Sequence, residues 1–506
     1  FVNPVTRVLT LGAGDNITSE NFIGFAHAAY ADGQKATVKT TGSIARNVPQ
    51  VPSASSSLGT AVSFESATTS RIASCFDSTN NRIVVSYVDS GSDDDGTVAV
   101  GTVSASDNSI SFGSEAVYKA ADTSDVGMCF DTNSNKVVIA YRDGGDSNKG
   151  KAIVGTVDSS DNSITFGSEA EFNGGNTGYI NVVFDSSNNK IVIVYTDYGN
   201  SSYGAAIVGT VSGTSISFGS EVVFESAASY YTAATFDSSN NKIVVAYNDD
   251  GNSNHGTAIV GTVSGTSISF GTPAVFNTAS TTSGFGPSPL GIAFDSTNNK
   301  TVIVYVDGGN SSYGTAVVAT VSGTSVSFGT PVVFESASTV APEAEFDASV
   351  DKVVINYRDG GNSNYHTVVL GTVSGTSISF ETPFLLISSL VHSVNDHMTY
   401  DSHNERMFFA FGDAGDSNKG KGVVLRNAVP TNLTSENYIG IASGGTYADT
   451  AEATIDVVGT VNKDQTSLTA GQTYYVQTDG TLGTTADSPS VVAGTAISAT
   501  EIIVKG

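Results

Sequence analysis

The stretch Phe236-Asp-Ser-Ser-Asn-Asn-Lys-Ile-Val-Val-Ala-Tyr247 holds the pattern that decides the fold. Asn and Asp tolerate left-handed backbone and cap their own amides, so Asp237–Asn241 indicates a tight turn. Lys242–Tyr247 then has the β-branched character of a strand. The Phe-Asp pair recurs along the chain as Phe76-Asp77, Phe130-Asp131, Phe184-Asp185, Phe236-Asp237, Phe294-Asp295, Phe346-Asp347 and, in degenerate form, Tyr400-Asp401. Intervals of 52 to 58 residues filled with short strand patterns predict a propeller or an array.

One repeat contains four strand patterns, which repeat four shows at Tyr231–Phe236, Lys242–Tyr247, Thr257–Val263 and Ser267–Phe270. The apolar runs of the two middle strands suit sheets that are packed on both faces by neighbouring blades. The seventh repeat lacks the fourth strand, and a copy of the missing piece stands at the front of the chain as Phe64-Glu-Ser-Ala67. We therefore predict an all-β fold: a seven-bladed β-propeller of four-stranded antiparallel blades, whose last blade is closed by an N-terminal strand, flanked by small β-modules.

The ends of the chain carry a module that occurs once whole and once cut short. Asn16-Ile-Thr-Ser-Glu-Asn-Phe-Ile-Gly24 matches Asn432-Leu-Thr-Ser-Glu-Asn-Tyr-Ile-Gly440, but the early copy lacks the second half. We predict an N-terminal half β-module at 1–50, the propeller at 51–428 and a C-terminal β-module at 429–506. Half a β-module exposes unpaired strand edges, so we expect it to pair with the C-terminal copy or with another subunit.

Composition excludes several classes of function. The net charge is −27 and only 22 residues are basic, which argues against nucleic-acid binding, because that requires clustered Lys and Arg. No apolar run approaches the roughly 20 residues of a membrane span, so we expect no membrane insertion. The chain opens at Phe1 without Met, which predicts a processed product or a segment of something longer. Cys75 and Cys129 precede the Phe-Asp of adjacent repeats, and we expect free, buried thiols.

The loop between the second and third strands repeats Asp-x-Gly-(Asn/Asp)-Ser-x-x-Gly and resembles the Asp-box of sialidase-like propellers, without its closing Trp. In such turns the Asp accepts backbone amide bonds and the Gly takes positive φ, which predicts a structural role. The Asp residues concerned are Asp89, Asp143, Asp197, Asp249, Asp307, Asp359 and Asp413. Calcium coordination is the alternative, centred on Asp93, Asp94 and Asp95, and we expect no other cofactor.

Catalysis finds no support in the sequence. Sialidases need several convergent arginines, whereas the arginines of this chain occupy different strands and turns without a shared register: Arg71, Arg82, Arg142, Arg358 and Arg406. His392, His397 and His403 do not have the spacing of a zinc site, and we expect them at solvated positions. No nucleophile elbow, phosphate-binding loop or Cys-x-x-Cys is present, so we predict a protein that is not an enzyme.

Binding is better supported, because variable loops on a repeated scaffold usually carry recognition. The connectors between repeats vary most, and they span 119–127, 173–179, 226–231, 277–290 and 388–397. Aromatic surfaces among carboxylates and amides suit sugars. The candidate ligand-binding residues on this loop face are Tyr198, Tyr203, Tyr230, Tyr231, His255, Tyr313 and Tyr365. The alternative is that these tyrosines merely cover loop edges.

The stretch Leu468–Lys505, with its Gly-Gln-Thr-Tyr-Tyr-Val-Gln-Thr-Asp-Gly core, resembles modules at the ends of tail-fibre and other virion proteins of marine bacteriophages. The Phe-Asp-Ser-x-Asn-Asn-Lys repeats resemble repeats in the same class of proteins. The resemblance implies a non-enzymatic virion surface or tail-fibre protein, here expected to attach to a host-surface glycan. Its expected partners are other virion proteins or copies of itself in a homo-oligomer, joined through the terminal modules. The alternatives are a purely architectural subunit and a secreted, extracellular bacterial adhesin or filament protein.

Overall fold

A computed structural model gives the structure of the 506-residue chain. It describes residues 25–26, 38–39, 56–104, 106–281, 288–390, 396–427, 440–443, 454–457, 459–476, 482–486 and 491–505. The described residues form strands and turns, with five three-residue 3₁₀ turns as their only helical elements, so the chain is all-β as predicted. None of these helical elements has the length and apolar character to span a membrane. Ser57–Asn427 forms one compact unit, and a second unit comprises Phe1–Ser56 with Ala428–Gly506.

Two middle strands form a hairpin in each sequence repeat. In repeat four the pairing runs from Ile243 opposite Gly261 to Asp249 opposite His255. Runs of Val and Ile favour extended backbone and are buried on both faces of the hairpin. The second strands are Arg82–Asp89, Lys136–Asp143, Lys190–Asp197, Lys242–Asp249, Lys300–Asp307, Lys352–Asp359 and Arg406–Asp413. The third strands are Asp95–Val103, Lys149–Asp158, Tyr203–Ser212, His255–Ser264, Tyr313–Ser322, Tyr365–Ser374 and Lys419–Arg426.

Long strands connect the repeats, and each belongs to two of them. Val222–Asp237 begins beside the third strand of repeat three, with Val222 opposite Ala206, and ends beside the second strand of repeat four, with Asp237 opposite Lys242. We call the first half of such a strand the outer strand and the second half the inner strand. The continuous examples are Val62–Asp77, Ala116–Asp131, Ala170–Asp185, Val222–Asp237 and Val332–Asp347. The interrupted pairs are Ala274–Ser280 with Leu290–Asp295 and Phe384–Leu390 with His397–Asp401.

The prediction that the connectors are loops is therefore wrong for three of the five. Residues 119–127, 173–179 and 226–231 lie inside continuous strands. Parts of the other two connectors, 282–287 and 391–395, lie outside the described residues. Each connector is part of a strand because the strand's first half pairs with one repeat and its second half pairs with the next. This pairing involves the backbone and does not depend on the side chains.

A short strand follows each third strand and completes its outer edge. In six repeats these strands are Ile110–Phe112, Ser163–Phe166, Ser215–Phe218, Ser267–Phe270, Ser325–Phe328 and Ser377–Phe380. In repeat seven the short strand Ser57–Leu58 takes this place, with Leu58 opposite Leu425, and Val62 lies opposite Gly422. The predicted pairing of the N-terminal segment with the last repeat is confirmed.

Inner strands contact one another in sequence order, and that of repeat seven contacts that of repeat one. Ser74 carries this last contact: its Oγ lies 2.9 Å from His397 Nδ1 and 2.6 Å from Thr399 Oγ1. Phe408 and Val424 of repeat seven also share an apolar cluster with residues of repeat one. The first and last repeats thus pack on each other as consecutive repeats do.

An aromatic pair and a glycine recur where one repeat packs on the next. In repeats three and four the rings of Phe224 and Tyr247 lie 5.2 Å apart, and Gly204 lies beneath the Phe224 ring. The corresponding pairs are Phe64–Tyr87, Tyr118–Tyr141, Phe172–Tyr195, Phe276–Tyr305 and Phe334–Tyr357. The prediction that the loop glycines take positive φ is wrong, since Ser253 and Asn254 (φ 58° and 60°) and their equivalents take it instead. The last glycine of the loop motif, which we call the closing glycine, instead provides space for an aromatic ring, as Gly204 does for Phe224.

The terminal modules show one shared element. Phe25–Ala26 pairs with Val38–Lys39, and Gly440–Ser443 pairs with Thr454–Val457, as corresponding hairpins of the two copies. A five-stranded sheet follows, in the order Val461–Asn462, Ile502–Val504, Val492–Ala496, Thr473–Val476, Leu482–Gly483. Most of the early half-module lies outside the described residues, so its predicted pairing with the C-terminal copy or another subunit stays a prediction.

Candidate functional site

Five inner strands carry a β-bulge near their start. In repeat four Tyr230 lies opposite Asn248 and Ala233 opposite Ala246, so two residues, Tyr231 and Thr232, face the single residue between. The first bulge residue has positive φ in every case: Arg71 52°, Asp125 47°, Tyr179 50°, Tyr231 53° and Ala341 49°. Residues other than glycine rarely adopt this backbone, and such strain concentrates at functional sites. The bulge residues are therefore candidates for a functional site.

The bulges lie at the same end of the repeats as the Asp-containing loops. In repeat four Ser229, just before the bulge, is opposite Asp249, where the loop begins, while Asp237 at the other end of the inner strand is opposite Lys242. Because consecutive inner strands contact one another, the bulge residues of neighbouring repeats come close together at this end.

Four tyrosines from repeats three and four form one cluster, which we call the tyrosine cluster: Tyr179, Tyr198, Tyr230 and Tyr231. The ring of Tyr179 lies 4.7 Å from Tyr231, 6.2 Å from Tyr230 and 6.4 Å from Tyr198. All four side chains are half-buried, so part of each ring faces solvent. Gly178 makes the packing possible, because a Cβ there would lie 2.5 Å from the Tyr198 ring. Burial raises the pKa of Tyr179, which keeps its hydroxyl protonated and able to donate.

Three charged residues of repeats one and two border this cluster. Asp125 lies between two guanidiniums, with Oδ1 3.5 Å from Arg71 Nη1 and Oδ2 3.4 Å from Arg142 Nη1. The side chains of Arg71 and Arg142 are 36% and 26% exposed, and that of Asp125 is 12% exposed. Asp125 and Tyr179 are the first bulge residues of inner strands that contact each other, which places the charged residues next to the tyrosines. Burial raises the pKa of Tyr198, and the charge of Asp125 raises it further. We call the three charged residues and the tyrosine cluster together the loop-end arc.

The structure divides the predicted ligand-binding residues into two sets. Tyr198, Tyr230 and Tyr231 come together in the tyrosine cluster. The other four do not meet: each begins the third strand of a different repeat and is half-buried there, in the order Tyr203, His255, Tyr313, Tyr365. Tyr203, for example, lies opposite Ala228 of the outer strand.

Sequence reasoning missed Arg71, Asp125, Arg142 and Tyr179 as candidate site residues. A usable signal existed, because the bulge residues Arg71, Asp125, Tyr179, Tyr231 and Ala341 each stand five residues before the Phe of a Phe-Asp pair. Arg71 and Arg142 lie on different kinds of strand, in agreement with the prediction that the arginines share no register. Arg71 and Arg142 converge on one carboxylate from adjacent repeats.

In six repeats the loop Asp accepts a backbone amide bond within its own turn, the contact on which its predicted structural role depends. Asp197 Oδ1 accepts a hydrogen bond of 2.9 Å from the Gly199 amide, and this places the 3₁₀ turn Tyr198–Asn200. Equivalent bonds from a loop amide are accepted by Asp89, Asp249, Asp307, Asp359 and Asp413. Asp143 differs, because its carboxylate instead forms an ion pair of 2.6 Å with Lys119.

The suggested calcium site gains no support from geometry. Within the described ranges no three His, Cys, Asp or Glu side chains are arranged to hold a metal ion. Asp93 and Asp94 lie in an exposed loop with positive φ, and Asp95 begins a strand and accepts a bond of 3.2 Å from Ser92 Oγ. Calcium binding by Asp93, Asp94 and Asp95 stays a prediction.

The histidine expectations have mixed outcomes. His403 is exposed as predicted, and His392 lies outside the described residues. The expectation of a solvated His397 is wrong, because its ring is held between inner strands, where Nδ1 accepts from the Ser74 amide at 3.3 Å. Burial lowers the pKa of His397 to about 4, so the ring is neutral near pH 7. Cys75 and Cys129 are free thiols as predicted; Cys75 is buried and Cys129 half-buried.

The packing between repeats six and seven departs from the rest. His366 stands where other repeats have the closing glycine, Leu386 stands where they have the aromatic ring, and Phe411 replaces the tyrosine. His366 is fully buried, and its Nε2 hydrogen-bonds with the buried carboxylate of Asp396. Asn356 Nδ2 lies 3.5 Å from the same carboxylate. A buried histidine and carboxylate thus take the place of the glycine-and-ring packing of the other repeats.

Comparisons with known proteins bear on the fold. No family model matches the chain, and no curated protein matches it in sequence. A solved lectin of Burkholderia pseudomallei is similar with a TM-score of 0.53 and 12% identity, over 72% of this chain and 97% of that one. A mutant lectin of Aleuria aurantia, in complex with Fucα1-6GlcNAc, gives a TM-score of 0.37 and 14% identity, over 63% and 96% of the two chains. A periplasmic gluconolactonase of Pseudomonas aeruginosa gives 0.45 and 10%, over 62% and 85%. The first of these likenesses shows that this chain shares the fold of the Burkholderia lectin.

Proposed function

We propose that residues 51–428 form a seven-bladed β-propeller that binds carbohydrate at the loop-end arc, without catalysis. The pairing of Leu58 with Leu425 and the contact of Ser74 with His397 and Thr399 support the closed ring. The tyrosine cluster beside Arg71, Asp125 and Arg142 is the observation that carries the binding function.

The chemistry of the arc suits a sugar. Half-exposed tyrosine rings offer apolar faces for the C–H face of a pyranose, and their hydroxyls both donate and accept hydrogen bonds. The adjoining guanidiniums and carboxylate supply the polar groups that fix orientation in a binding site. Each bulge lies within a paired strand, so the backbone around the site is already ordered. Little conformational entropy is therefore lost on binding.

The setting we propose is a virion surface or tail fibre, on the resemblance of the repeats and the C-terminal stretch. In that setting the terminal modules would join copies of the chain to one another or to other virion proteins, and the propeller would face the host glycan. A shared fold does not fix a function, so the likeness to a lectin supports the proposal only as far as the architecture.

Glycan-array binding by the full chain tests the proposal. The double variant Tyr179→Ala with Tyr231→Ala removes two rings of the cluster, and we expect at least about a tenfold loss of affinity for any glycan bound. The matched control replaces Tyr203, Tyr313 and Tyr365 by Ala and should retain binding. An unfolding curve for each variant shows that it is folded.

The outcomes separate the alternatives. Loss of binding only in the control variant would move the site to the four separated third-strand positions. Absence of binding to every glycan by the unaltered protein would favour a purely architectural subunit.

A further inference from the structure

We propose that the loop-end arc takes an anionic carbohydrate, one that carries a carboxylate or sulfate group, with Arg71 and Arg142 as the residues that select it. This inference rests on the proposed carbohydrate binding and names its ligand class. It starts from the local charge: two guanidiniums share one carboxylate, which leaves a net positive site on a chain whose net charge is −27.

The guanidiniums retain capacity for a ligand. Each arginine approaches Asp125 through Nη1 alone, at 3.4 to 3.5 Å, although a guanidinium offers five N–H donors. The Nε of Arg142 is buried without a hydrogen-bond partner within the described part of the chain, so the group offered to a ligand is the exposed Nη end of the guanidinium. Both side chains are partly exposed, so a carboxylate or sulfate can reach them and form two parallel bonds to a guanidinium.

Arg82 shows what a structural arginine looks like in the same fold. Its Nε donates to Asn162 Oδ1 at 2.6 Å, its Nη1 to the Asn80 carbonyl at 2.9 Å and its Nη2 to the Ser159 carbonyl at 2.6 Å. These bonds leave it little to offer a ligand. Among the described residues, the side chains of Arg71 and Arg142 hydrogen-bond only to Asp125, so more of each guanidinium is left for a ligand.

The surroundings favour an anion next to the rings. The raised pKa of Tyr179 keeps its phenol neutral, so it adds no negative charge to the site. Exposed loop carboxylates at this end are screened over about 8 Å at physiological ionic strength, whereas the guanidiniums would contact the ligand directly. Burial beside aromatic rings lowers the local dielectric and strengthens that contact. Asp125, which is only 12% exposed, holds the two guanidiniums in place.

The test uses the full chain on a panel of uronic-acid, sialylated and sulfated oligosaccharides, each beside its carboxyl-reduced, asialo or desulfated counterpart. We expect at least one acidic member to bind about tenfold or more tightly than its neutral counterpart. Arg71→Gln and Arg142→Gln should each weaken binding of the acidic member more than binding of its neutral counterpart, and so remove most of that preference. Lys149→Gln, which removes a cation from the start of the third strand of repeat two at the same end, is the control for net charge and should keep the preference.

The failures are distinguishable. Equal or tighter binding of the neutral counterparts overturns the anionic ligand class and leaves carbohydrate binding intact. A preference for acidic glycans that survives both arginine variants overturns the role of Arg71 and Arg142. Absence of binding to every member, acidic and neutral, overturns the proposed function itself. The unfolding midpoint of each variant shows that a lost preference comes from the missing guanidinium.

Discussion

Two interfaces between repeats fill the same space with different side chains. One lies between repeats three and four, and the other lies between repeats six and seven. In the first, Gly204 leaves space for the ring of Phe224, which packs on Tyr247. In the second, His366 fills that space, Leu386 is smaller than the ring it replaces, and the His366 ring lies 6.1 Å from Phe411.

The difference teaches what the scaffold requires. The His366 ring fills the space above a position that is glycine in the other repeats, and the smaller Leu386 beside it offsets part of the added volume. The polar atoms that histidine brings into the core need a partner, and Asp396 supplies it with Asn356 beside it. Between repeats three and four, Thr232 and Val194 occupy the positions of Asp396 and Asn356. The repeats thus keep a filled and hydrogen-bonded interface, and they do not keep the residues that form it.

The largest effect should come from breaking the polar version. His366→Ala leaves a void and a buried Asp396 carboxylate without its histidine, so we expect a loss of about 3–5 kcal/mol in the free energy of unfolding. Urea unfolding measures it. His403→Ala, at an exposed position of the next repeat, should stay within about 0.5 kcal/mol. Similar small losses in both variants would show that the pair contributes nothing.

A smaller effect should come from breaking the apolar version. A Cβ added by Gly204→Ala would lie 2.5 Å from Phe224 Cζ, so we expect a loss of about 1–3 kcal/mol from overpacking. Adding Phe224→Leu reproduces half of the repeat-six exchange and should restore part of the loss. The double-mutant cycle measures this coupling. Strict additivity of the two changes would contradict the exchange of volume.

The smallest effect concerns charge on the inner strand of repeat six, where Glu345 stands at the position of Val183 in repeat three. Burial, aided by Asp347, raises the pKa of Glu345 from 4.5 to about 7. The folded chain therefore holds a proton that the unfolded chain releases, and stability falls as pH rises from about 4.5 to about 7. Glu345→Gln removes this loss. We expect the variant to match the parent at pH 4 and exceed it by about 1–2 kcal/mol at pH 8.

Unfolding curves across this pH range check the prediction. Glu381→Gln, an exposed carboxylate in the same repeat, is the control and should show no gain toward alkaline pH. A constant difference between Glu345→Gln and the parent at every pH would contradict a raised pKa.

The hairpins and the pairing of the front of the chain with repeat seven were predictable, because turn chemistry and β-branched runs are local signals and Phe64-Glu-Ser-Ala67 repeats a recognisable piece. The continuity of the strands through the connectors was not. Residues such as Glu225, Ser226 and Ala227 lack strand propensity, and the pairing of their strand with repeat three before them and with repeat four after them keeps this stretch within the strand.

The candidate site was only partly predictable for a related reason. Tyr198, Tyr230 and Tyr231 were found because aromatic residues stand out in loops. Arg71, Asp125 and Tyr179 were missed because they have little in common chemically, and what they share is a backbone conformation that strand pairing imposes. The meeting of Arg71 and Arg142 at Asp125 also depends on which repeats are neighbours in space, which residue spacing alone does not report.

At the bulge, the backbone structure does not depend on which side chain the residue carries. Strand pairing on both sides of the bulge fixes the backbone there. The first bulge position therefore holds Arg, Asp, Tyr or Ala in the five repeats, with no change in strand register. We expect a substitution at this position to change the side chain and to keep the strand pairing. If the loop-end arc binds a ligand as proposed, its preference can change one repeat at a time.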